Sequence, residues 1–211
     1  LGELEDSVIN EIDMMVLSPG IAIDAPFVLR VKEAGVPIWG EIELAYVIGK
    51  GKLAAITGTN GKTTTTALVG EIMANYYDKV DVVGNIGNPY TTTAFDSTDD
   101  TVTVAEISSF QLETIHKFHP VVSAILNITP DHLNRHHTME CYSKTKENIS
   151  MNQTKDDVCV LNMEDEELYR FGSECPAKVV WFSSKRKPEI GAYVQGDDIR
   201  YTDGTTDELM L

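Results

Sequence analysis

One stretch constrains this chain more than any other: Ala55-Ile56-Thr57-Gly58-Thr59-Asn60-Gly61-Lys62-Thr63-Thr64-Thr65-Thr66. Leu53 to Thr57 reads as a short buried strand, Gly58 to Gly61 as a flexible turn, and Thr63 to Tyr77 carries the apolar spacing of a helix. A strand, a glycine-rich turn and a helix in that order make a phosphate cradle. Backbone N–H groups turn inward, and the helix N-terminus adds partial positive charge. Lys62 is placed to reach the outer phosphates and the Thr63 hydroxyl to hold a magnesium ion. Gly58, Thr59, Asn60, Gly61 and Thr64 complete the ATP-binding set. The spacing is the short form G-x-x-G-K-T, with Ile56 standing where the longer motif has its first glycine. The plainer alternative is a turn that only packs a strand against a helix. A lysine followed by a run of hydroxyls at a helix start has no obvious packing purpose, which favours the phosphate reading.

Composition narrows the partners. The chain has 211 residues and a formal net charge of −16. So acidic a protein argues against nucleic acid and against an anionic membrane, since both require a basic face. ATP, held by local geometry, is not excluded. No apolar run approaches the ~20 residues needed to span a bilayer. Cys141, Cys159 and Cys175 share no metal-ligand spacing and read as reduced, cytoplasmic thiols.

Along the chain, residues 1–12 are acidic and without clear pattern. Asp13 to Leu17 reads as a short strand broken by Ser18-Pro19-Gly20. Pro26 to Glu33 reads as a helix opening on proline, its favoured first position. Gly35 stops that helix, and Val36-Pro37-Ile38 looks like another strand. This β-α-β unit is too small to hold a core of its own. Gly40 to Val47, with the glycine–lysine pairs that follow, reads as a joint. Further strands are expected at 80–83, 101–107, 121–127, 158–162 and 178–182, separated by helical segments such as Thr138–Asn152. That alternation predicts an α/β fold, a mostly parallel sheet flanked by helices, with ligands bound beyond the C-terminal strand ends. Ala192 to Tyr201 reads as a C-terminal β-hairpin.

Three polar clusters fall at those strand ends. Glu106-Ile-Ser-Ser-Phe-Gln111 puts a carboxylate where a magnesium ligand belongs, since Mg²⁺ takes oxygen ligands. Asn127 to His136 packs an acid, imidazoles and a guanidinium into one turn, and Tyr142 to Lys146 follows on a helix. Singly each has a plainer reading, as a helix cap or a satisfied surface group. Their joint appearance after a phosphate loop is harder to dismiss. The segments Thr57–Thr64, Gly84–Gly87, Glu106–Ser109, Asn127–His132 and Tyr142–Lys146 together resemble the Mur ligase family, ATP-dependent amide-forming enzymes of peptidoglycan synthesis. The resemblance runs from about Asp13 to about Phe182. Glu106–Glu113, the 84–87 turn, Leu17–Ala22 and Trp39–Leu44 are most similar to the member that adds D-glutamate.

That resemblance implies a bacterial, cytoplasmic, monomeric enzyme. ATP would phosphorylate the free carboxylate of UDP-N-acetylmuramoyl-L-alanine, and the amine of D-glutamate would displace phosphate. Lys62, Glu106, His132 and Lys146 match the catalytic set. Two magnesium sites are implied, one on Thr63 and Glu106, the other on His132 and Lys146. Lysine as a cation cannot bind Mg²⁺; in this family the matching lysine carries CO₂ as a carbamate. Asn85, Ser108 and His132 match residues facing the muramoyl substrate, and Ser18-Pro19-Gly20 a turn near its pyrophosphate. Residues 1–46 then correspond to the end of a Rossmann-like first domain plus the joint, and 47–211 to the central ATP-binding domain. The first domain's opening half and a third domain are expected to be missing from this chain.

Three rivals remain at this stage. One is another family member, of the tripeptide synthetase or folylpolyglutamate synthase type. Another is a phosphate-loop regulatory NTPase, which predicts a guanine-reading motif or switch glycines; neither is found. The third is a nucleotide-binding module with no chemistry of its own.

Overall fold

A computed structural model describes residues 4–85 and 87–211. The chain opens with a one-turn helix α1 (Asp6–Ile9), strand β1 (Met15–Leu17), helix α2 (Pro26–Glu33), strand β2 (Ile38–Gly40) and helix α3 (Glu41–Ile48). Next come β3 (Lys52–Thr57), α4 (Lys62–Met73), β4 (Val80–Gly84), α5 (Tyr90–Ala94) and β5 (Val102–Glu106). A 3-10 turn (Gln111–Thr114) leads to β6 (Val122–Ile125), α6 (Leu133–His136) and α7 (Met139–Glu147). The chain ends with β7 (Val158–Asn162), α8 (Glu166–Phe171), β8 (Lys178–Ser183), β9 (Gly191–Gln195), β10 (Asp198–Thr202) and β11 (Asp207–Leu209).

Local chemistry sets many of these limits. Pro26 opens α2, and Gly35 ends it at φ +77°, a left-handed position. The Thr138 hydroxyl caps α7 by accepting from Cys141 N–H, and Asp165 caps α8 by accepting from Glu167 and Leu168. Two helices are shorter than their spacing suggests. α4 stops at Met73, where the Asn75 amide donates to the Glu71 carbonyl at 2.8 Å. α7 gives way after Glu147 to a 3-10 turn over Asn148–Ser150.

Nine strands form one sheet in the order β11-β10-β9-β8-β7-β6-β3-β5-β4. From β4 through β9 every pairing is parallel, and β9-β10-β11 run antiparallel. The expected hairpin is therefore a three-stranded meander that extends the large sheet. β5 is buried at every residue, as a central parallel strand must be when helices cover both faces. From β3 the chain moves to one side for β4 and β5, then crosses to the other for β6 and β7. The topological switch point, where open α/β sheets bind ligands, therefore lies beside β3.

The first β-α-β unit forms its own two-stranded parallel sheet, Met15 opposite Ile38. The segment expected as a joint is helix α3, and it is part of the main core. Ile42 and Ala45 are fully buried among Leu53, Tyr90 and Phe118. A buried carboxylate helps to fix that helix. Glu43 accepts backbone N–H bonds from His116 (2.9 Å), Lys117 (2.7 Å) and Phe118 (3.0 Å). Glu43→Ala leaves those donors without their partner and should lower the unfolding free energy by about 3 kcal/mol or more. Urea denaturation measures this; a loss below about 1 kcal/mol would mean that water replaces the carboxylate.

Candidate active site at the phosphate loop

The parallel register brings the polar turns together. Ile56 lies opposite Glu106, Gly84 opposite Glu106 and Thr57 opposite Ile125. The loop after β3 therefore sits between the turns that follow β5 and β6. Gly61 adopts φ +83° and caps α4, a conformation that side chains disfavour. At Gly84 a Cβ would stand 2.1 Å from the Glu106 carbonyl, so only glycine permits this approach of β4 to β5.

The Glu106 carboxylate is the meeting point. One oxygen accepts from the Thr63 hydroxyl at 2.8 Å, the other from the Asn85 amide at 3.0 Å. Glu106 itself is buried, while Thr63 and Asn85 are exposed. No group of three His, Cys, Asp or Glu side chains among the described residues is arranged to hold a metal alone. Magnesium needs no such cage, because one or two carboxylates plus phosphate oxygens and water satisfy it. A hydroxyl and a carboxylate converging at the mouth of a phosphate loop fit that requirement.

Both lysines rest on the loop itself. Lys62 Nζ donates to the Thr59 carbonyl at 2.9 Å, so it is half-buried rather than free in solvent. Lys146 is 2% exposed and donates to the Gly58 carbonyl at 2.9 Å. Burial, and then the charge of Lys62, push its amine down to about 7, with Asp131 opposing. A neutral amine near physiological pH is a nucleophile, unlike the ordinary lysine ammonium. Lys144, two residues away, is exposed and paired with Glu140. The two lysines thus lie on different helix faces, as their spacing predicts.

The remaining expected residues make contacts of their own. His132 begins α6 at φ +50°, half-exposed, with its ring 4.9 Å from that of Phe110. The Ser108 hydroxyl donates to Gln111 Oε1 at 2.9 Å. Ser18 and Pro19 line a small hollow with Ile21, Phe110, Glu113 and Arg135. Gly20 is exposed with open space where a Cβ would be.

Several side chains that shape this region were not singled out from sequence. Asn127 accepts from Asn60 N–H at 2.8 Å and donates to its carbonyl at 3.0 Å, clamping the loop. The Tyr142 hydroxyl meets Thr59 Oγ1 at 3.2 Å. Both residues stood inside the quoted motifs, which was the available signal. His136 is buried, with Nε2 2.9 Å from the Ser109 hydroxyl. Burial above all, then Arg135 and Lys146, lower its pKa to about 4.

These parts define a class: a phosphate-loop α/β domain with an acid and a hydroxyl paired at the loop's mouth. The model of the Mur ligase middle domain matches residues 56–210, and the chain belongs to the Mur ligase family. It is 65% identical over 211 residues to the UDP-N-acetylmuramoylalanine–D-glutamate ligase of Lachnospira eligens, a match covering all of this chain and 47% of that protein. A protein of the same name from Clostridioides difficile is 53% identical over 192 residues, covering 90% of this chain and 43% of that protein. The chain thus spans about half the length of the curated relatives it matches. Its fold is shared with UDP-N-acetylmuramate:L-alanyl-gamma-D-glutamyl-meso-diaminopimelate ligase from Neisseria meningitides, at TM-score 0.61 and 15% identity. That match covers 97% of this chain and 69% of the other. No helix among the described residues is long and apolar enough to cross a membrane.

The buried, neutral His136 makes a pH prediction. Its folded pKa lies below the ordinary 6.5, so the unfolded chain binds a proton that the folded chain excludes between about 4 and 6.5. Its contribution is complete above pH 6.5, is lost as pH falls towards 4, and is constant below that. His136→Gln keeps a donor for Ser109 but cannot titrate, so its stability should fall less steeply across this window. Parallel curves for variant and wild type would place the titration elsewhere.

Proposed function

We propose that the full-length protein joins D-glutamate to UDP-N-acetylmuramoyl-L-alanine at the expense of ATP, through an acyl phosphate. The single observation that carries this reading is the Thr63–Glu106–Asn85 group at the mouth of the phosphate loop. The 65% identity to a relative bearing that enzyme's name supports the choice of substrates. In this reading 1–46 belongs to the domain that binds the uridine nucleotide and 47–211 to the ATP-binding domain. The protein acts as a cytoplasmic monomer.

The difficulty of the reaction is electrostatic, since a carboxylate must approach a polyphosphate. The free N–H groups at the start of α4 bind phosphate oxygens, as a helix N-terminus does. Lys62 exchanges the Thr59 carbonyl for the β- and γ-phosphates, which are the stronger partners for its charge. Thr63 and Glu106 would hold one magnesium ion, and His132 with a carbamylated Lys146 would hold a second. Magnesium supplies charge neutralisation between the nucleotide and the attacking carboxylate. The lowered pKa of the buried Lys146 amine suits its neutral form to add to CO₂, with release of one proton to solvent, and the resulting carbamate would offer oxygen ligands in place of a cation. Asn85 orients Glu106 and, with Ser108 and His132, faces the muramoyl part, and the Ser18-Pro19-Gly20 turn lies towards the pyrophosphate.

In the full-length protein, phosphate release should require both UDP-N-acetylmuramoyl-L-alanine and D-glutamate. Release with another amino acid, or on a folate substrate, would assign the protein to a different member; release without any acceptor would favour a regulatory NTPase. Lys62→Ala should abolish turnover with the fold intact, and near-normal turnover would refute the loop assignment. Lys146→Ala should remove most activity and acetate should restore part of it, whereas Lys144→Ala should change little. The reverse ranking of the two lysines would overturn the role given to Lys146.

A further inference from the structure

Between the first β-α-β unit and the large sheet lies a cluster that the proposed chemistry does not use. Arg135, at the third position of α6, reaches in two directions. Its Nη2 donates to the Ile21 carbonyl at 2.9 Å, in the segment just after Ser18-Pro19-Gly20. Its Nε and Nη2 also donate to the two Glu113 oxygens, at 3.2 and 2.5 Å. The guanidinium lies over the Phe110 ring, 4.8 Å from its centroid, and that same ring packs on His132 and His136. Arg135 and Glu113 are largely buried, with side chains 15% and 8% exposed.

These contacts join segments that are far apart in sequence: the turn after β1, the segment after β5 and the turn after β6. Each carries residues assigned to the substrate above, namely Ser18-Pro19-Gly20, Ser108 and His132. We infer that Arg135 is a positioning residue for the uridine-linked substrate, clasping these three segments into one wall. The inference rests on the proposed ligase reading for the identity of that substrate. A guanidinium suits the task because its planar fork engages a carboxylate with two nitrogens and still presents N–H to a carbonyl. A partly buried ion pair of this kind adds little net stability, because desolvation offsets much of the attraction. Its contribution is therefore to geometry, and reacting groups displaced by about 1 Å can lose up to 10²-fold in rate.

Two variants of the full-length protein test this. Arg135→Lys keeps the charge, but lysine has no second nitrogen with which to reproduce the two-nitrogen grip of Nε and Nη2 on Glu113 while meeting the Ile21 carbonyl. Glu113→Gln keeps the shape and weakens the anchor, which gives a second reading should the lysine variant fold poorly. For both, the KM for UDP-N-acetylmuramoyl-L-alanine should rise, about tenfold for the lysine variant, with the KM for ATP changing less than about twofold. Hydrogen exchange should accelerate at the Ile21 and Ala25 amides and stay unchanged at Thr59, which is bonded to Asn127. Equal changes in both KM values, no change in either, or exchange that rises uniformly would overturn the clasp. The exchange measurement needs no substrate. If the wild-type protein releases no phosphate with this substrate, the ligase reading fails while the clasp is still judged by its amides.

Discussion

The register of three parallel strands is the constraint on which the site depends. Glu106 ends a fully buried strand, opposite Ile56 on one side and Gly84 on the other. The side chain of that last residue emerges where the sheet stops, between the phosphate loop and the 84–85 turn. The neighbouring strand can come this close only because Gly84 has no Cβ. A one-residue slip in a parallel pair would turn Glu106 to the other face of the sheet and separate it from Thr63.

Around that carboxylate, polar groups are satisfied from within. Lys62 and Lys146 donate to carbonyls of the loop they serve, and Asn127 closes both hydrogen bonds of Asn60. These bonds hold the loop's shape, which in the proposed function would lower the ordering cost of binding phosphate. They also place two lysine nitrogens close together in a chain of net charge −16. Burial first, and then the nearby charge of Lys62, makes the Lys146 amine easier to deprotonate.

Helix α3 and the first β-α-β unit are both tied to the residues around the large sheet by hydrogen bonds to charged side chains. Glu43 takes three backbone amides, Glu41 takes the Gln111 amide at 2.7 Å, and Arg135 reaches the Ile21 carbonyl. Each bond crosses from residues 21–43 to residues 111–135. Hydrogen bonds to charged groups are stronger than neutral ones and depend on direction, so they fix orientation where a smooth apolar face would allow sliding.

The sequence alone determined the parts list. The alternation of apolar runs with helical spacing gave the α/β sheet, and Gly58 to Thr63 gave the glycine-rich loop between β3 and α4, because local spacing and glycine placement encode strand, turn and helix. The motifs also named Glu106 and Asn85. What only the tertiary structure decided is how these groups meet. That Glu106 accepts from both Thr63 and Asn85, 43 and 21 residues away, follows from strand order, which local patterns do not carry. The burial of Lys146 was likewise illegible, because a lysine on a helix reads as exposed until its neighbours in space are known. Residues 40–47 read in sequence as a joint flanked by glycines, and the buried face of helix α3 appears only when the sheet is assembled against it. Arg135 and Glu113 gave no sign of each other, since two charged side chains 22 residues apart become a pair only through the fold.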